Sequence, residues 1–479
     1  MTGHSVEKIG GTSMAATATL FDNVLIAGRS GADLYNRIFV VSAYAGMTDL
    51  LLENKKSGAP GVYGRFVADE DAGGWREAME DVRRAMHERN AGMFARPESR
   101  EQADAFVDAR IAAVAACLED LARLRAHGRF CVKEQLMTVR ELLAGIGEAH
   151  SAHSTALLLR DRDVNAEFVD LTLWDQDDLR SLDARIGDAF AAIDLTATLP
   201  IVTGYAGCEG GMVRRYARGY TEMTFSRLAV VTGAREAIIH KEFHLSSADP
   251  KLVGEDKARK IGRTNYDVAD QLANLGMEAI HPGAGRGLRQ TDIPLRVRNS
   301  FDREDEGTLV TGDYVSDVPR VEIVTGIRQM QALTFFEQDM VGVKGYDAAI
   351  LDALTRHRLW IVSKSSNANT ITHYLSASAD AVKGVIADLQ KHYPEAAISA
   401  QPVAMVAAIG SDISRPGLVP DALRALDAAG IGMIAMQHQI RNVDVQFIVE
   451  SRDFDAAVRA LHKALVEDMD ASAEGRRAA

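Results

Sequence analysis

KIGGTS, residues Lys8–Ser13, stands between a strand-like segment and a helical pattern that begins near Met14. Glycines in such a turn let backbone N–H groups approach an anion closely, and the N-terminus of the following helix adds partial positive charge. Lys8, just before the glycines, is placed to meet the charge that develops during phosphoryl transfer. A tight strand-to-helix turn with a surface lysine is the alternative interpretation. Both interpretations place an α/β fold at the start of the chain.

A second turn of the same kind lies in Val40–Asp49, where an apolar strand runs into small residues and then into a helix. Ligands of open parallel sheets bind at the carboxyl ends of the strands, and both turns are predicted to lie there. Small residues needed only for packing would give the same pattern. The two turns together favour a site at one edge of a sheet.

The first three hundred residues alternate between strand-like and helix-like segments. Such alternation predicts a mainly parallel sheet with helices on both faces. Asn54–Gly74, rich in glycine and charge, is predicted to be a loop. The predicted strands are Ser5–Ile9, Arg37–Ser42, Ala166–Asp170, Leu199–Gly204, Glu236–His240 and Leu295–Arg298, and the predicted helices are Trp75–Phe94, Glu101–Ala126, Val139–Arg160 and Thr224–Thr232.

Beyond Gly312–Arg320 the pattern becomes two shorter cycles, each reading β-α-β-β-α. A cycle of this order predicts a ferredoxin-like module of ~70 residues, and two of them in tandem form a self-similar pair. We therefore expect a large domain over residues 1–312 and small domains over 319–399 and 400–471.

The composition is that of an ordinary globular protein, with 479 residues, 47% hydrophobic and 25% charged. The net charge of −13 disfavours nucleic acid as a partner. The three cysteines have no paired spacing, which disfavours a disulfide framework or a zinc site. No segment approaches the ~20 unbroken apolar residues of a membrane-spanning helix. No basic and apolar leader precedes Lys8, so we expect a cytoplasmic protein without a membrane partner.

The two turns and a series of later motifs, in this order, resemble the aspartokinase family. The family signature is Lys-Phe-Gly-Gly-Thr-Ser, followed by a Val-Ser-Ala turn. The spelling of Glu7–Met14 and of Arg218–Glu222 is most similar to the branch associated with ectoine biosynthesis. The later motifs are Gly147-Glu148, Gly204–Gly207, Arg218–Glu222, Ser247–Lys251, Ile280–Pro282 and Ile293–Asn299.

The resemblance implies a three-layer, carbamate-kinase-like amino-acid-kinase domain followed by two ferredoxin-like ACT domains. It implies phosphorylation of the β-carboxylate of L-aspartate by ATP to give 4-phospho-L-aspartate, the first step of the pathway to lysine, threonine and methionine, and here also to ectoine. No metal-ligand cluster stands out in the sequence, so Mg²⁺ is expected to be held chiefly by ATP and water.

The resemblance also assigns roles to matching positions. Lys8 is expected to stabilise the transferring phosphoryl group, Arg218 to pair with the α-carboxylate of aspartate, and Glu148 to hold its ammonium group. An exposed helix glutamate is the alternative for Glu148. The expected catalytic residues are Lys8, Gly10, Gly11 and Ser42; the expected substrate contacts are Thr48, Glu148, Tyr205, Arg218, Thr221 and Glu222; the expected nucleotide contacts are His240, Lys241, Ser246 and Lys251.

The chain departs from the family pattern at both sides of the predicted site. Tyr220 replaces a glycine, and Glu222 replaces an aspartate while keeping its charge. On the nucleotide side an acid has become Lys241 and a lysine has become Glu278. The opposite changes suggest a charge swap that keeps a cation near the phosphates. Two solvated surface charges are the alternative.

In the family that the chain resembles, the first ACT module is typically inserted within the second, so residues 319–329 are an alternative source of the first strand of the last domain. The ACT pair implies a homo-oligomer, expected to be a dimer, and control by an amino-acid effector. Gly342–Gly345 and Ser363–Thr370 are the expected effector contacts, although their spelling differs from common lysine sites. Two rival functions stay open at this point. One is kinase activity on another amino acid such as glutamate, and the other is a catalytically weak amino-acid sensor.

Overall fold

The computed structural model of the chain describes residues 3–55, 57–68, 74–128, 130, 132–172, 174, 180–216, 219–277 and 280–468. Met1–His244 and Ile280–Gly312 form one compact unit, and Leu245–Ala279 and Asp313–Ala479 form a second. The domain boundaries drawn from the sequence stay predictions.

The described strands and helices are labelled in chain order. Strands β1 to β14 are Ser5–Ile9, Arg37–Val41, Ala166–Val169, Leu199–Thr203, Glu236–Lys241, Arg263–Asn265, Leu295–Asn299, Thr308–Thr311, Ile323–Phe336, Trp360–Ser366, Thr370–Ser376, Ala397–Ile409, Met433–His438 and Asp444–Val449. Helices α1 to α17 are Gly11–Ala15, Thr17–Leu20, Met47–Leu51, Val62–Ala68, Gly74–Met93, Pro97–Ala126, Lys133–Arg160, Leu182–Phe190, Met212–Tyr216, Tyr220–Thr232, Pro250–Val253, Tyr266–Asn274, Pro282–Gln290, Tyr346–Arg356, Ala379–His392, Leu418–Ala428 and Phe454–His462.

The first unit is built on a mainly parallel sheet. Its strands lie side by side in the order β3-β4-β2-β1-β5-β7-β8. Neighbouring strands are parallel except for β7 with β8. Every residue of β1, β2 and β4 is buried, which is typical of strands covered on both faces. The predicted α/β class is therefore confirmed, and the turns after β1, β2, β4, β5 and β7 share one edge of the sheet.

The four helices predicted in this unit are present as α5, α6, α7 and α10, and each begins between one and six residues before its predicted start. The prediction of a loop over Asn54–Gly74 was wrong for Val62–Ala68, which form α4. Val62 and Phe66 are four residues apart and are both buried. They therefore give this short helix an apolar face that its glycine-rich surroundings obscure in the sequence.

The second unit contains a six-stranded sheet in the order β10-β11-β9-β12-β14-β13. All of its neighbouring strands are antiparallel. Helices α14 and α15 pack around one hydrophobic cluster, and α16 and α17 pack around another. Each half follows the predicted β-α-β-β-α order, so the expectation of two ferredoxin-like modules is confirmed.

The long strands β9 and β12 run through both halves of this sheet. The late part of β9, Gln331–Phe336, pairs with β11. Its early part, Ile323–Ile327, pairs with the end of β12, and that same end pairs with β14. The early part of β9 thus adjoins the strands of the later cycle. The boundary predicted between residues 399 and 400 falls inside β12.

None of the described helices is both long enough and apolar enough to cross a lipid bilayer.

Candidate active site

Two lysines and one glutamate form a charged cluster at the ends of β1 and β5. Lys8 Nζ lies 3.4 Å from Glu222 Oε1, and Lys241 Nζ lies 3.8 Å from the same oxygen. Lys8 pairs with Ile239 across the parallel strands, so the alternation of side chains puts Lys241 on the same face as Lys8. The predicted catalytic lysine and the predicted nucleotide lysine therefore lie on opposite sides of one carboxylate.

Glu222 is buried and ionised in this cluster. Burial raises the pKa of its carboxyl, but Lys8, Lys241 and the backbone N–H of His281 more than offset that effect and hold the pKa below its ordinary value. The N–H of His281 donates to the second oxygen, Oε2. Two ammonium groups against one carboxylate leave a net positive charge, which suits a phosphate. The predicted contact of Glu222 with a substrate ammonium group stays a prediction.

The two glycine-containing turns meet beside this cluster. Helix α1 begins at Gly11, directly after Gly10. The N–H of Ser42 donates to Ile9 O at 3.1 Å, and the N–H of Ala45 donates to Gly11 O at 3.2 Å. The first turn is thereby fixed to the second, as expected for two turns at the carboxyl edge of adjacent strands. Thr48 lies in α3, which follows the second turn.

Glu148, on α7, is a buried carboxylate with an unused oxygen. It is only 2% exposed, and the hydroxyl of Thr221 donates to its Oε1 at 2.7 Å. Its Oε2 is buried and has no hydrogen-bond partner among the described residues. Burial raises the pKa of this carboxyl to about 8, although the Thr221 hydroxyl, Lys8 and nearby backbone amides act in the opposite direction. The alternative of an exposed helix glutamate is therefore wrong.

Gly204 keeps the space beside that oxygen open. A Cβ atom at this position would lie 2.7 Å from Glu148 Oε2 and 2.5 Å from Thr221 Cγ2. Those distances are shorter than real Cβ contacts, so glycine is required at the end of β4. A buried carboxylate oxygen without a donor is costly to folding, and an ammonium group is the ligand that would satisfy it.

Tyr205 and Tyr220 form an aromatic wall next to Glu148. The two rings meet edge to face, with centroids 5.6 Å apart, and both residues are buried. Tyr220 is the first residue of α10, where its ring packs on Tyr205. The structure thus accommodates the large residue that replaces the family glycine. The next residue, Thr221, bonds Glu148, so α10 joins the wall to the carboxylate.

His240 does not face this cluster. It pairs in register with Ile9, which places its side chain on the other face of the sheet from Lys8. There its Nε2 lies 2.8 Å from Glu7 Oε2, and it is only 3% exposed. Burial lowers the pKa of this imidazole, although Glu7 acts in the opposite direction. The structure therefore does not bring its side chain to the predicted nucleotide side.

The remaining predicted residues fall elsewhere. Ser246 and Lys251 belong to the second unit, where the Ser246 hydroxyl donates to Ala248 O at 2.7 Å and Lys251 lies in α11. Their role as nucleotide contacts stays a prediction. Arg218 and Glu278 lie outside the described residues, so only the Lys241 half of the proposed charge swap is placed.

Sequence reasoning missed two carboxylates of this edge. Glu242 Oε1 accepts a hydrogen bond from the Ser13 hydroxyl at 3.5 Å, beside the first glycine turn. Glu141 lies on α7 seven residues before Glu148 and binds the hydroxyl of Tyr205. A spacing of seven puts both glutamates on one helix face, and this was the signal available in the sequence.

One group of described residues could hold a metal ion: His244, Asp302 and Asp305. His244 Nε2 lies 3.2 Å from Asp302 Oδ2, and its Nδ1 lies 3.6 Å from Asp305 Oδ1. The histidine is thus placed between two carboxylates, and its Nδ1 has no hydrogen-bond partner among the described residues. A mixed nitrogen and oxygen set also suits a transition metal better than Mg²⁺.

Comparisons with known proteins identify the family of this chain. The amino acid kinase family matches residues 5–299. The chain is 48% identical over 464 residues to aspartate kinase Ask_Ect of Stutzerimonas stutzeri, covering 97% of this chain and 98% of that protein. It is 26% identical over 347 residues to an aspartokinase of Geobacillus stearothermophilus, covering 68% of this chain and 81% of that protein.

Two solved structures share the fold at 20% identity. Escherichia coli aspartokinase III in complex with lysine and aspartate superposes with a TM-score of 0.74 over 97% of this chain and 99% of that one. The same enzyme with aspartate and ADP gives a TM-score of 0.71 over 96% and 99%. With the family match and the 48% identical relative, they lead to one assignment. The chain belongs to the aspartate kinase family, within the amino acid kinases.

Proposed function

We propose that this chain is an ATP-dependent aspartate kinase, which transfers the γ-phosphoryl group of ATP to the β-carboxylate of L-aspartate and releases 4-phospho-L-aspartate and ADP. The observation that carries the proposal is the buried Glu148 carboxylate with its unused Oε2, close enough to the Lys8 cluster for Lys8 to lower its pKa. An amino acid needs an anion for its ammonium group, and a phosphoryl donor needs cations. Both requirements are met at the carboxyl ends of the parallel strands.

On the substrate side, Glu148 Oε2 would accept the α-ammonium group while Thr221 holds Oε1. Binding of the ligand then returns Glu148 to its ionised form, because the ammonium charge compensates the desolvation that raises the pKa of this carboxyl. Tyr205 and Thr48 would line the pocket, and Arg218 would hold the α-carboxylate through its planar fork of donors. The attacking β-carboxylate is ionised at neutral pH, with an ordinary pKa of about 3.9, so no general base is required.

On the phosphoryl side, catalysis is positioning and charge neutralisation. Lys8 would bind the γ-phosphoryl group as its charge develops, helped by the backbone N–H groups at Gly10 and Gly11 and by the Ser42 hydroxyl. Lys241 would supply the second cation, since it lies on the same face and shares the Glu222 carboxylate. Glu222 keeps the two ammonium groups together in the absence of nucleotide.

Mg²⁺ would accompany ATP in this reaction and supply charge neutralisation on the phosphate oxygens. A carboxylate at the first glycine turn fits such an ion. Glu242 is half-buried, its carboxylate lies near Gly10, and it accepts a hydrogen bond from the Ser13 hydroxyl. A carboxylate beside a phosphate site repels the nucleotide unless a cation lies between them, so Glu242 is the residue that would hold Mg²⁺.

The second unit supports a regulated homodimer. ACT modules pair through their sheets and bind amino acids, and the edge strands β10 and β13 carry the exposed side chains Trp360, Met433 and Ile434. The S. stutzeri relative carries the designation Ask_Ect, which agrees with the ectoine-associated spelling of this chain. We therefore propose a dimeric, effector-controlled enzyme that supplies ectoine synthesis. A cytoplasmic location is proposed from its metabolite substrates.

The test is a hydroxamate assay of the full chain with ATP and Mg²⁺, offered aspartate or glutamate in parallel. Acyl phosphates react with hydroxylamine, so the amount of hydroxamate reports the phosphorylated carboxylate directly. We expect hydroxamate with aspartate and a rate at least about a hundredfold lower with glutamate, because one extra methylene misplaces the attacking oxygen. Equal rates would indicate another amino acid kinase, and no hydroxamate with either would indicate a catalytically weak sensor.

A further inference from the structure

Glu141, near the predicted aspartate pocket, accepts three hydrogen bonds and has no assigned role. The Tyr205 hydroxyl donates to its Oε2 at 2.8 Å. The N–H of Val213 donates to the same oxygen at 2.9 Å, and the N–H of Arg214 donates to Oε1 at 2.8 Å. Three donors from two separate segments of the chain therefore converge on one carboxylate of α7.

Two of those donors belong to the first turn of α9, so Glu141 caps that helix from outside it. A negative charge at a helix N-terminus satisfies free N–H groups and interacts favourably with the helix dipole. The approach is close. Gly211 has φ +72, and a Cβ atom there would lie 2.4 Å from Glu141 Oε1. Any other residue at that position would push the segment away from the carboxylate.

The third donor ties Glu141 to the pocket wall. Burial and the neighbouring Glu141 charge both raise the pKa of the Tyr205 hydroxyl far above its ordinary value, so it stays protonated and donates. Tyr205 in turn contacts Tyr220, and Tyr220 is followed by Thr221, which bonds Glu148. The chain of contacts runs from Glu141 to the residue proposed to bind the substrate ammonium group.

We infer that Glu141 is a positioning residue that sets the affinity for aspartate by fixing the Tyr205 ring and the α9 segment together. The inference rests on the proposed function. It adds to it a determinant that touches neither substrate nor nucleotide.

The substitution Glu141→Gln tests this inference, because glutamine has the same shape as glutamate but offers fewer hydrogen-bond acceptors. A glutamine has one carbonyl oxygen that accepts, and its NH₂ group cannot accept from a backbone N–H. In either orientation of the amide, one of the Val213 and Arg214 N–H groups faces another donor. We expect the KM for aspartate to rise about tenfold or more, which is the effect of one lost hydrogen bond to a charged acceptor, with the KM for ATP within about twofold.

Glu134→Gln is the matched control. Glu134 is also on α7 and also contacts the α9 segment, with its Oε2 3.5 Å from Arg214 Nη1, but its side chain is 78% exposed. An exposed pair of this kind contributes little, so the KM for aspartate should stay within about twofold. If Glu141→Gln changes the KM for aspartate by as small a factor as Glu134→Gln does, the inference is overturned.

Two further readouts separate positioning from general loss of structure and from failure of the proposed function. Tyr205→Phe should raise the KM for aspartate less in the Glu141→Gln background than in the wild-type chain, because the shared bond is already weakened. Amide hydrogen exchange at Val213 and Arg214 should be at least about tenfold faster in Glu141→Gln. Exchange needs no substrate, so it decides whether Glu141 holds α9 even if the wild-type chain does not phosphorylate aspartate. Unchanged exchange, or additive effects of the two substitutions, would contradict the inference.

Discussion

At the scale of single residues, Glu148 connects stability with function. Its carboxyl is buried with one oxygen unsatisfied, and its pKa is raised from 4.5 to about 8. A folded-state pKa above the unfolded one means that the folded chain holds the proton more tightly. The stability that this proton contributes is present below about pH 4.5 and is lost as the pH rises through 8.

Glu148→Gln should therefore stabilise the substrate-free protein while abolishing aspartate phosphorylation. Glutamine is neutral at every pH, so the variant avoids the cost of a buried charge. We expect its free energy of unfolding to be nearly equal to that of the wild type at pH 4.5. At pH 7 it should be higher by about 3 kcal/mol. Urea denaturation at several pH values without ligands measures this. A wild type that is the more stable protein at pH 8 would contradict the assignment.

Lys241 is the second residue whose role can be separated by substitution. It shares the Glu222 carboxylate with Lys8, and it replaces an acid of the family pattern. Lys241→Ala should raise the KM for ATP about tenfold or more, with the KM for aspartate within about twofold, because one cation facing phosphate is lost. Steady-state rates with each substrate varied in turn measure both values. Small and equal changes in the two would remove Lys241 from the nucleotide site.

Single positions were predictable where a motif named them. Lys8, Glu148 and Thr221 were each predicted from the resemblance, and the structure brings Thr221 onto Glu148 and Lys8 close enough to influence its pKa. The partner of Tyr205 was not predicted. Glu141 stands in an acidic chain with 67 Asp and Glu residues, and nothing but its spacing of seven from Glu148 sets it apart.

At the scale of elements, strand alternation divides the charged residues of β1 and β5 into two sets. Lys8 and Lys241 face one side, and Glu7 and His240 face the other. On that other side Arg37 Nε lies 2.9 Å from Glu7 Oε1. Burial raises the pKa of Glu7, but Arg37 and His240 more than offset it and hold the pKa well below its ordinary range. This second set is a buried structural network.

His240→Gln should then act on stability and leave the nucleotide affinity unchanged. We expect a loss of about 1–3 kcal/mol in the free energy of unfolding, since a buried hydrogen bond to a charged group is weakened. The KM for ATP should stay within about twofold. A large rise in that KM with unchanged stability would restore His240 as a nucleotide contact. The alternation that separates His240 from Lys241 was readable in the sequence, because adjacent residues of a strand point to opposite faces.

At the scale of the whole molecule, the class of each half was predictable because periodicity and motif order are local properties. The sharing of β9 and β12 between the two halves of the antiparallel sheet was not readable from periodicity. Each long strand reads as one element, and its division between partners depends on register with distant segments. The same long-range pairing explains why a boundary drawn at residue 399 falls within a strand.

The second unit leads to a prediction about assembly and control. We expect light scattering to give about twice the chain mass of 51.9 kDa, because the exposed edge strands of the sheet need a partner.

Titration of lysine and of threonine against the initial rate should show inhibition by one of them if the ACT pair senses an end product. A monomer whose rate neither amino acid changes would contradict the proposed regulation.

The central claim is that the Lys8 cluster transfers phosphate to an amino acid held by Glu148. Lys8→Ala tests it most directly, with turnover and aspartate affinity measured on the same preparation and Lys55→Ala, an exposed lysine, as control. We predict a fall in kcat of about a hundredfold to a thousandfold, since the lost group acts on charge that develops in the transition state. Aspartate affinity should stay within about threefold. Full turnover in Lys8→Ala would contradict the account.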